Sequence, residues 1–239
     1  MNVAETRHRT QTQALDLLYP PHCVACERVG AWLCDDCAAS ITPLPTACCP
    51  RCGRPMPTSR LCRTCRGRRS PLQALRSLGS YTSPLREAVH ALKYDGLAAL
   101  ADPLAALLET YWRQAPLPVT VLAPVPLHRG RVRYRGYNQA ALLASAFGSR
   151  VGLPVVEDCL VRRRATRSQV GLSVADRHAN VNEAFCCVDE RVRGERVLLI
   201  DDVCTTGATL AAAAQALLDG GASSVWALTL ARAPFATVR

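Results

Sequence analysis

Residues 197 to 210 read VLLIDDVCTTGATL. Four apolar residues run straight into two carboxylates, Asp201 and Asp202, the pattern of a buried strand that delivers acids to a sheet edge. Thr205, Thr206, Gly207 and Thr209 follow and open a helix expected over 208–219, stopped by Gly220-Gly221. A helix N-terminus beside threonine hydroxyls, with a glycine that lets the backbone approach, is a cradle for a monophosphate. Adjacent carboxylates near it can accept hydrogen bonds from vicinal sugar hydroxyls and attract hydrated Mg²⁺. A plain N-cap with a surface acid pair would leave unexplained why both acids end a buried strand.

Outward from this stretch the chain alternates helix and strand. Ser83-Pro84 reads as an N-cap with proline in the first turn, and helices are expected at 84–94 and 98–114. VTVLAPVP from Val119 reads as a buried strand, followed by an Arg-rich loop and a helix from Tyr137 to Gly148. A strand over 153–161, a polar loop over 162–181, a short strand over 184–188 and a last apolar strand, SSVWALTLARA from Ser223, complete the pattern. The fold class is therefore α/β, a mostly parallel sheet covered on both faces, with ligand expected at the carboxyl ends of the strands.

The composition agrees with a packed interior. Of 239 residues 49% are hydrophobic and 5% aromatic, so Ala, Leu and Val must build the core, and a disordered or collagen-like chain is excluded. No apolar run is long enough for a membrane span, and the N-terminus lacks the apolar stretch of a secretory signal; a cytoplasmic protein is the expectation. The net charge is +10, and Lys93 is the sole lysine, which excludes a Walker A loop with its obligatory GK[ST]. Residues 1–80 hold 11 Arg against 5 acids. Arg54, Arg60, Arg63, Arg66, Arg68 and Arg69 lie together without an acid, either a phosphate contact or a solvated face.

Nine of the 13 cysteines precede residue 66, eight of them in two copies of one pattern: Cys23, Cys26, Cys34, Cys37, then Cys49, Cys52, Cys62, Cys65. Each CxxC aims two sulfurs at one point, and two such turns close a tetrahedral four-cysteine shell around structural Zn²⁺. A disulfide framework would need an oxidising compartment, which the absence of an export signal disfavours. Spacing leaves open whether the pairs combine in order or interleave, although the short in-order gaps favour two successive ribbons. Cys48 competes with Cys49 for its place. The expected organisation is a tail with a short helix over 1–19, a double zinc ribbon over 20–70 and an α/β domain over 71–239.

With these residues in view, the 201–207 segment resembles the signature of type I phosphoribosyltransferases that binds 5-phosphoribosyl 1-pyrophosphate (PRPP). The rest is similar to the ComF/GntX family: Pro124 to Leu127, Arg135-Gly136-Tyr137-Asn138-Gln139, Thr166 to Gln169, Leu172-Ser173 with Arg177 and Asn180, and Asp201 to Gly207 stand in the family's order behind a cysteine-rich N-terminus. Tyr137 replaces the usual phenylalanine. The resemblance implies that Asp201 and Asp202 hold the ribose, directly or through Mg²⁺. It implies that Thr205, Thr206, Gly207 and Thr209 hold the 5′-phosphate, and that Arg131, Arg135 and Arg177 serve the pyrophosphate and its lid, the lid being the polar loop around Thr166 to Arg177. Asn138 and Gln139 either join them or cap the helix they begin.

Three functions are open on this reading: a Mg²⁺-dependent phosphoribosyltransferase of unknown acceptor, a single-stranded DNA handler acting with other competence proteins at the inner face of the membrane, as the family's association with natural transformation implies, or a PRPP sensor without turnover. No aromatic stacking platform occurs between Trp32 and Tyr81, so any DNA contact of the basic segment is expected to be with phosphates. The acceptor hood would have to come from 71–115 or the zinc module. Lys93 is either an acceptor or phosphate contact there, or a helix-end lysine reaching solvent.

Overall fold

Strand β5 (Arg196–Cys204) lies inside a four-stranded parallel sheet, order β1-β6-β5-β2, and its own pattern explains why. Val197 to Ile200 are all fully buried, so both faces of the strand need a covering layer. The computed structural model describes residues 20–45, 47–67, 69–163 and 184–234.

In chain order the elements are α1 (Asp35–Ala39), α2 (Arg63–Arg66), β1 (Leu72–Ser80), α3 (Leu85–Tyr94), a 3-10 turn with α4 (Ala101–Gln114), and β2 (Val121–Pro124). There follow α5 (Arg129–Arg135), α6 (Gln139–Val151), β3 (Leu160–Arg162), β4 (Phe185–Cys187), β5, α7 (Ala208–Asp219) and β6 (Ser224–Arg232). Val197 and Leu199 enter one core with Leu210, Ala213 and Leu217 of α7 and with Leu160 and Phe185 of the antiparallel β3–β4 pair. Leu198 and Ile200 enter the opposite core with Leu85, Val89 and Leu92 of α3, Leu104 and Leu108 of α4, and Leu143 and Phe147 of α6. Alternate residues of one strand thus serve two layers.

Four expectations are corrected. The segment over 72–80, which carries no strand in the sequence reading, is the edge strand β1, parallel to β6, with Ser77 and Thr229 hydrogen-bonded through their hydroxyls at 2.7 Å in the buried seam. Ser83 makes no side-chain cap: α3 starts at Leu85, after Pro84. The Arg-rich stretch is the short helix α5, begun by His128, whose Nδ1 accepts from the Gly130 amide at 3.2 Å, and ended at Gly136. The strand over 153–161 splits, Val155 bridging in parallel to Leu122 of the main sheet while β3 starts at Leu160 and pairs with β4. The lid residues Thr166 to Arg177, with Asn180, and the tail over 1–19 lie outside the described residues.

The zinc module repeats itself. Cys23 N–H donates to Arg28 O and Cys49 N–H to Arg54 O, both at 2.8 Å, and the bridges His22–Val29 and Cys48–Pro55 recur at the same places. The residue after each first knuckle has positive φ: Gly53 at 68° in the second copy, Glu27 at 64° in the first. The module lies along the free edge of β1, where Leu75 N–H donates to Arg51 O at 2.8 Å and Ser80 N–H to Thr42 O at 3.0 Å.

Candidate functional site

The thiols group in order, Cys23, Cys26, Cys34, Cys37 and then Cys49, Cys52, Cys62, Cys65, with sulfurs in each set within 4.8 Å of one another; Cys48 belongs to neither. Cys26–Cys34 and Cys52–Cys62 stand 3.6 and 3.8 Å apart, close to the edge of about 3.8 Å that a tetrahedron with Zn–S bonds of about 2.3 Å requires. The amide of Cys34 points at Cys23 Sγ, and that of Cys62 at Cys49 Sγ. Burial opposes ionisation there, yet such backbone donors bring Cys23 and Cys49 down to about 6, the direction a thiolate ligand needs. These are structural zinc sites: each shell is closed by four thiols.

The second constellation sits at the carboxyl ends of β5 and β2. Asp201 and Asp202 are successive strand residues and therefore turn to opposite faces. Asp202 turns toward the α3 layer, is 3% exposed, and its Oδ1 takes an ion pair from Lys93 Nζ at 2.6 Å. Its Oδ2 is buried and, among the described residues, without a hydrogen-bond partner. Asp201 turns toward the α7 side, is part-exposed, and accepts the Asp202 amide at 2.9 Å. Burial first, and then the Asp202 carboxylate, push Asp201 up to about 7.

Beyond the acids the chain turns into α7. Thr205 and Thr206 are exposed, Thr206 Oγ1 accepts from the Ala208 amide at 3.3 Å, and Gly207 adopts φ 82° directly before the first helical residue. Thr209 follows in the first turn. A left-handed residue at this point favours glycine, so the N-cap position itself carries no capping side chain.

Two cations act on the acids, Lys93 and Arg162, and further arginines stand on the neighbouring elements. Arg135 packs its guanidinium 5.3 Å from the centre of the Tyr94 ring and donates to Gln139 Oε1. Arg131 is exposed on α5, and its charge acts on Arg162 at the end of β3. Burial, then Arg131, lower Arg162, while Asp201 works the other way. Asn138 caps α6, accepting from Ala140 N–H at 3.1 Å, and its amide donates to Val125 O, also at 3.1 Å, tying α6 to the loop after β2. Arg177 lies outside the described residues.

Two features of the site escape a reading of the sequence. Lys93, for which the sequence offers an acceptor or phosphate contact or a reach into solvent, does not reach solvent: its side chain is largely buried and pairs with Asp202. Its signal is its uniqueness in an arginine-rich chain. Arg162 stands unmarked in CLVRRR, although it is the first charge after an apolar run, the strand-end position where ligand groups collect.

A cleft of about 640 Å³ opens between the first ribbon and α3. Trp32 and Tyr81 both line it, with Glu27, Glu87, His90 and Asp95. The two aromatics that bracket the basic segment in sequence thus line one cleft, where three acids against Arg86 suit a planar neutral or cationic group better than a phosphate. Among the described residues no helix is long and apolar enough to cross a membrane.

A parallel sheet whose inner strand ends in two acids and a Thr/Gly turn, preceded by two four-cysteine centres, defines a type I phosphoribosyltransferase-like domain carried behind a double zinc ribbon. Family models agree: a double zinc ribbon domain matches residues 14–66 and a phosphoribosyl transferase domain residues 132–238. The chain is 33% identical over 227 residues to the DNA utilization protein YhgH of Escherichia coli K12, spanning 90% of this chain and 99% of that one. It is 30% identical to the competence protein ComFC of Bacillus subtilis, covering 84% of each chain, and 31% identical to competence protein F of Haemophilus influenzae, covering 84% and 90%. The chain belongs to the ComF family of competence and DNA-utilization proteins.

Proposed function

We propose that the protein binds PRPP at the carboxyl ends of β5 and β2 and serves DNA uptake or utilization as a phosphoribosyltransferase-type protein. The observation that carries this reading is Asp202, a buried carboxylate at a strand end with one oxygen unpartnered among the described residues, beside a helix N-terminus flanked by threonines. An unpartnered buried acceptor is costly unless a ligand donor meets it, and a ribose hydroxyl is such a donor. Thr205, Thr206, Gly207 and Thr209 would hold the 5′-phosphate. Arg131 and Arg135 would face the pyrophosphate, whose negative charge grows as the bond to C1 breaks. Arg177, outside the described residues, would serve the pyrophosphate as well.

Mg²⁺, bound with PRPP, would neutralise charge on the leaving pyrophosphate. The donor set fits such an ion on one side: Asp201 is part-exposed and can face hydrated metal, whereas Oδ1 of Asp202 already holds an ammonium. Calorimetric titration of PRPP with Mg²⁺ into zinc-loaded protein tests the reading. Saturable binding is expected, and it disappears in the Asp201→Asn, Asp202→Asn double variant; no binding by the wild type would overturn it.

A second reading concerns nucleic acid. Arg60, Arg63, Arg66 and Arg69 are all exposed on the second ribbon, a patch able to contact the phosphates of single-stranded DNA. Replacing these four with alanine is expected to flatten the dependence of single-strand affinity on salt. An unchanged slope would remove the ribbon from DNA contact.

A further inference from the structure

The two acids of β5 are compensated differently. Lys93, in the last turn of α3, is largely buried, with a side chain 17% exposed, and sits 2.6 Å from Asp202 Oδ1. The carboxyl end of a helix favours a cation, so the turn itself supports the ammonium. A carboxylate this deep, next to a second carboxylate, needs an opposite charge within reach, and here the chain supplies it. The same turn places Tyr94 under Arg135, so one short segment fixes groups on both sides of the site.

We infer that Lys93 is a positioning residue that takes the place of a metal ion at Asp202, holding Oδ1 so that Oδ2 stands ready for a sugar hydroxyl. A divalent cation at Oδ2 would lie beside the Lys93 ammonium and be repelled; a hydroxyl donor would not. The ribosyl-phosphate half of the site is therefore metal-independent, and Mg²⁺ dependence is confined to the pyrophosphate half. This inference rests on the PRPP reading. Lys93 lies before residues 132–238, so the acid at the end of β5 is completed by a helix outside the segment that matches the transferase family model.

The test compares ribose 5-phosphate with PRPP, by calorimetry, in buffer with and without added Mg²⁺; a chelator is avoided because it would strip zinc. Wild-type protein is expected to bind ribose 5-phosphate equally with and without Mg²⁺, whereas PRPP binding tightens with it. Lys93→Gln is expected to weaken both ligands by the same factor, about tenfold or more for a lost charged contact, and to make ribose 5-phosphate binding respond to Mg²⁺. Lys93→Arg keeps the charge and recovers most of the loss. Strict Mg²⁺ dependence of ribose 5-phosphate in the wild type overturns the inference, as does an arginine variant no better than glutamine. A glutamine variant that loses PRPP alone also overturns it, assigning Lys93 to pyrophosphate contact instead. If Lys93→Gln does not fold, the wild-type Mg²⁺ comparison still decides, and Lys93→Arg is expected to bind both ligands within a few-fold of wild type, with a loss of about tenfold or more of both overturning the inference. Wild-type protein that binds neither ligand brings down the PRPP reading itself, a failure visible before any variant is made.

Discussion

The zinc module and the α/β domain are held together by different physics, although they share an edge. In the α/β domain two apolar cores sandwich a parallel sheet, and residues such as Leu198, Leu199 and Phe147 are fully buried. In the ribbons the fully or nearly buried groups are chiefly metal ligands, Cys23, Cys49 and Cys62 among them, with Leu33 the large apolar exception. One half is stabilised by area removed from water, the other by coordination bonds. Metal removal should therefore separate them. Chelation is expected to unfold the ribbons, where structural zinc contributes about 10–16 kcal/mol in small modules, while the sheet keeps a cooperative thermal transition. Hydrogen exchange resolved by segment would show it; loss of protection in β5 and α7 at the same chelator concentration would break the distinction.

Within the module the two copies also differ, and the difference is sharp at one position. A side chain on Gly53 would place Cβ 2.5 Å from the Leu75 carbonyl, in addition to its positive φ of 68°. Gly53→Ala is expected to cost about 2–4 kcal/mol, left-handed strain plus a clash with backbone that cannot yield, read as weaker zinc retention against a chromophoric competitor. Retention equal to wild type would mean that the second ribbon is not seated on β1 as described.

A smaller effect is expected at Asp201, where the α/β domain carries its own strain. Its folded-state pKa, near 7, lies above the ordinary value of 3.8, so its contribution to stability is full below 3.8 and is lost as pH rises through 7. Asp201→Asn should therefore melt higher than wild type at pH 8, by about 2 kcal/mol given the partial exposure of the group, with the gap narrowing at pH 5. A gap independent of pH would show that the carboxylate is not strained. The smallest effect is expected in the first ribbon, where Glu27 holds φ 64°. Glu27→Gly relieves that strain at the cost of unfolded-chain entropy, a net gain of at most about 1 kcal/mol in the same zinc competition; a loss would reveal a contact made by the Glu27 side chain.

What the sequence makes legible is local. VLLIDDVCTTGATL carries its strand, its turn and its helix start within fourteen residues, and β5 and α7 fall where that pattern puts them. The two CxxC repeats likewise announce two four-cysteine centres, although only the folded chain shows that they assemble in order. The strand β1 is illegible because its reasons are distant: LQALRSLGS alternates imperfectly, its inner partner β6 lies at the other end of the chain, and its outer partners, Thr42 and Arg51, belong to the ribbons. Lys93 is illegible for the same reason, since the acid that holds it is contributed by another element. Asn138, by contrast, is half legible: capping is one of its two readings, and the cap is there.

The seating of the ribbons along β1 reaches beyond folding energy. That strand presents its outer hydrogen-bonding groups to Arg51 and Thr42, so the zinc module works as a gasket over the raw margin of the sheet. Bare sheet margins recruit strands from other molecules. Zinc shortage would then convert this covered margin into a template for intermolecular pairing, making colloidal solubility the first property of the protein to register the metal supply.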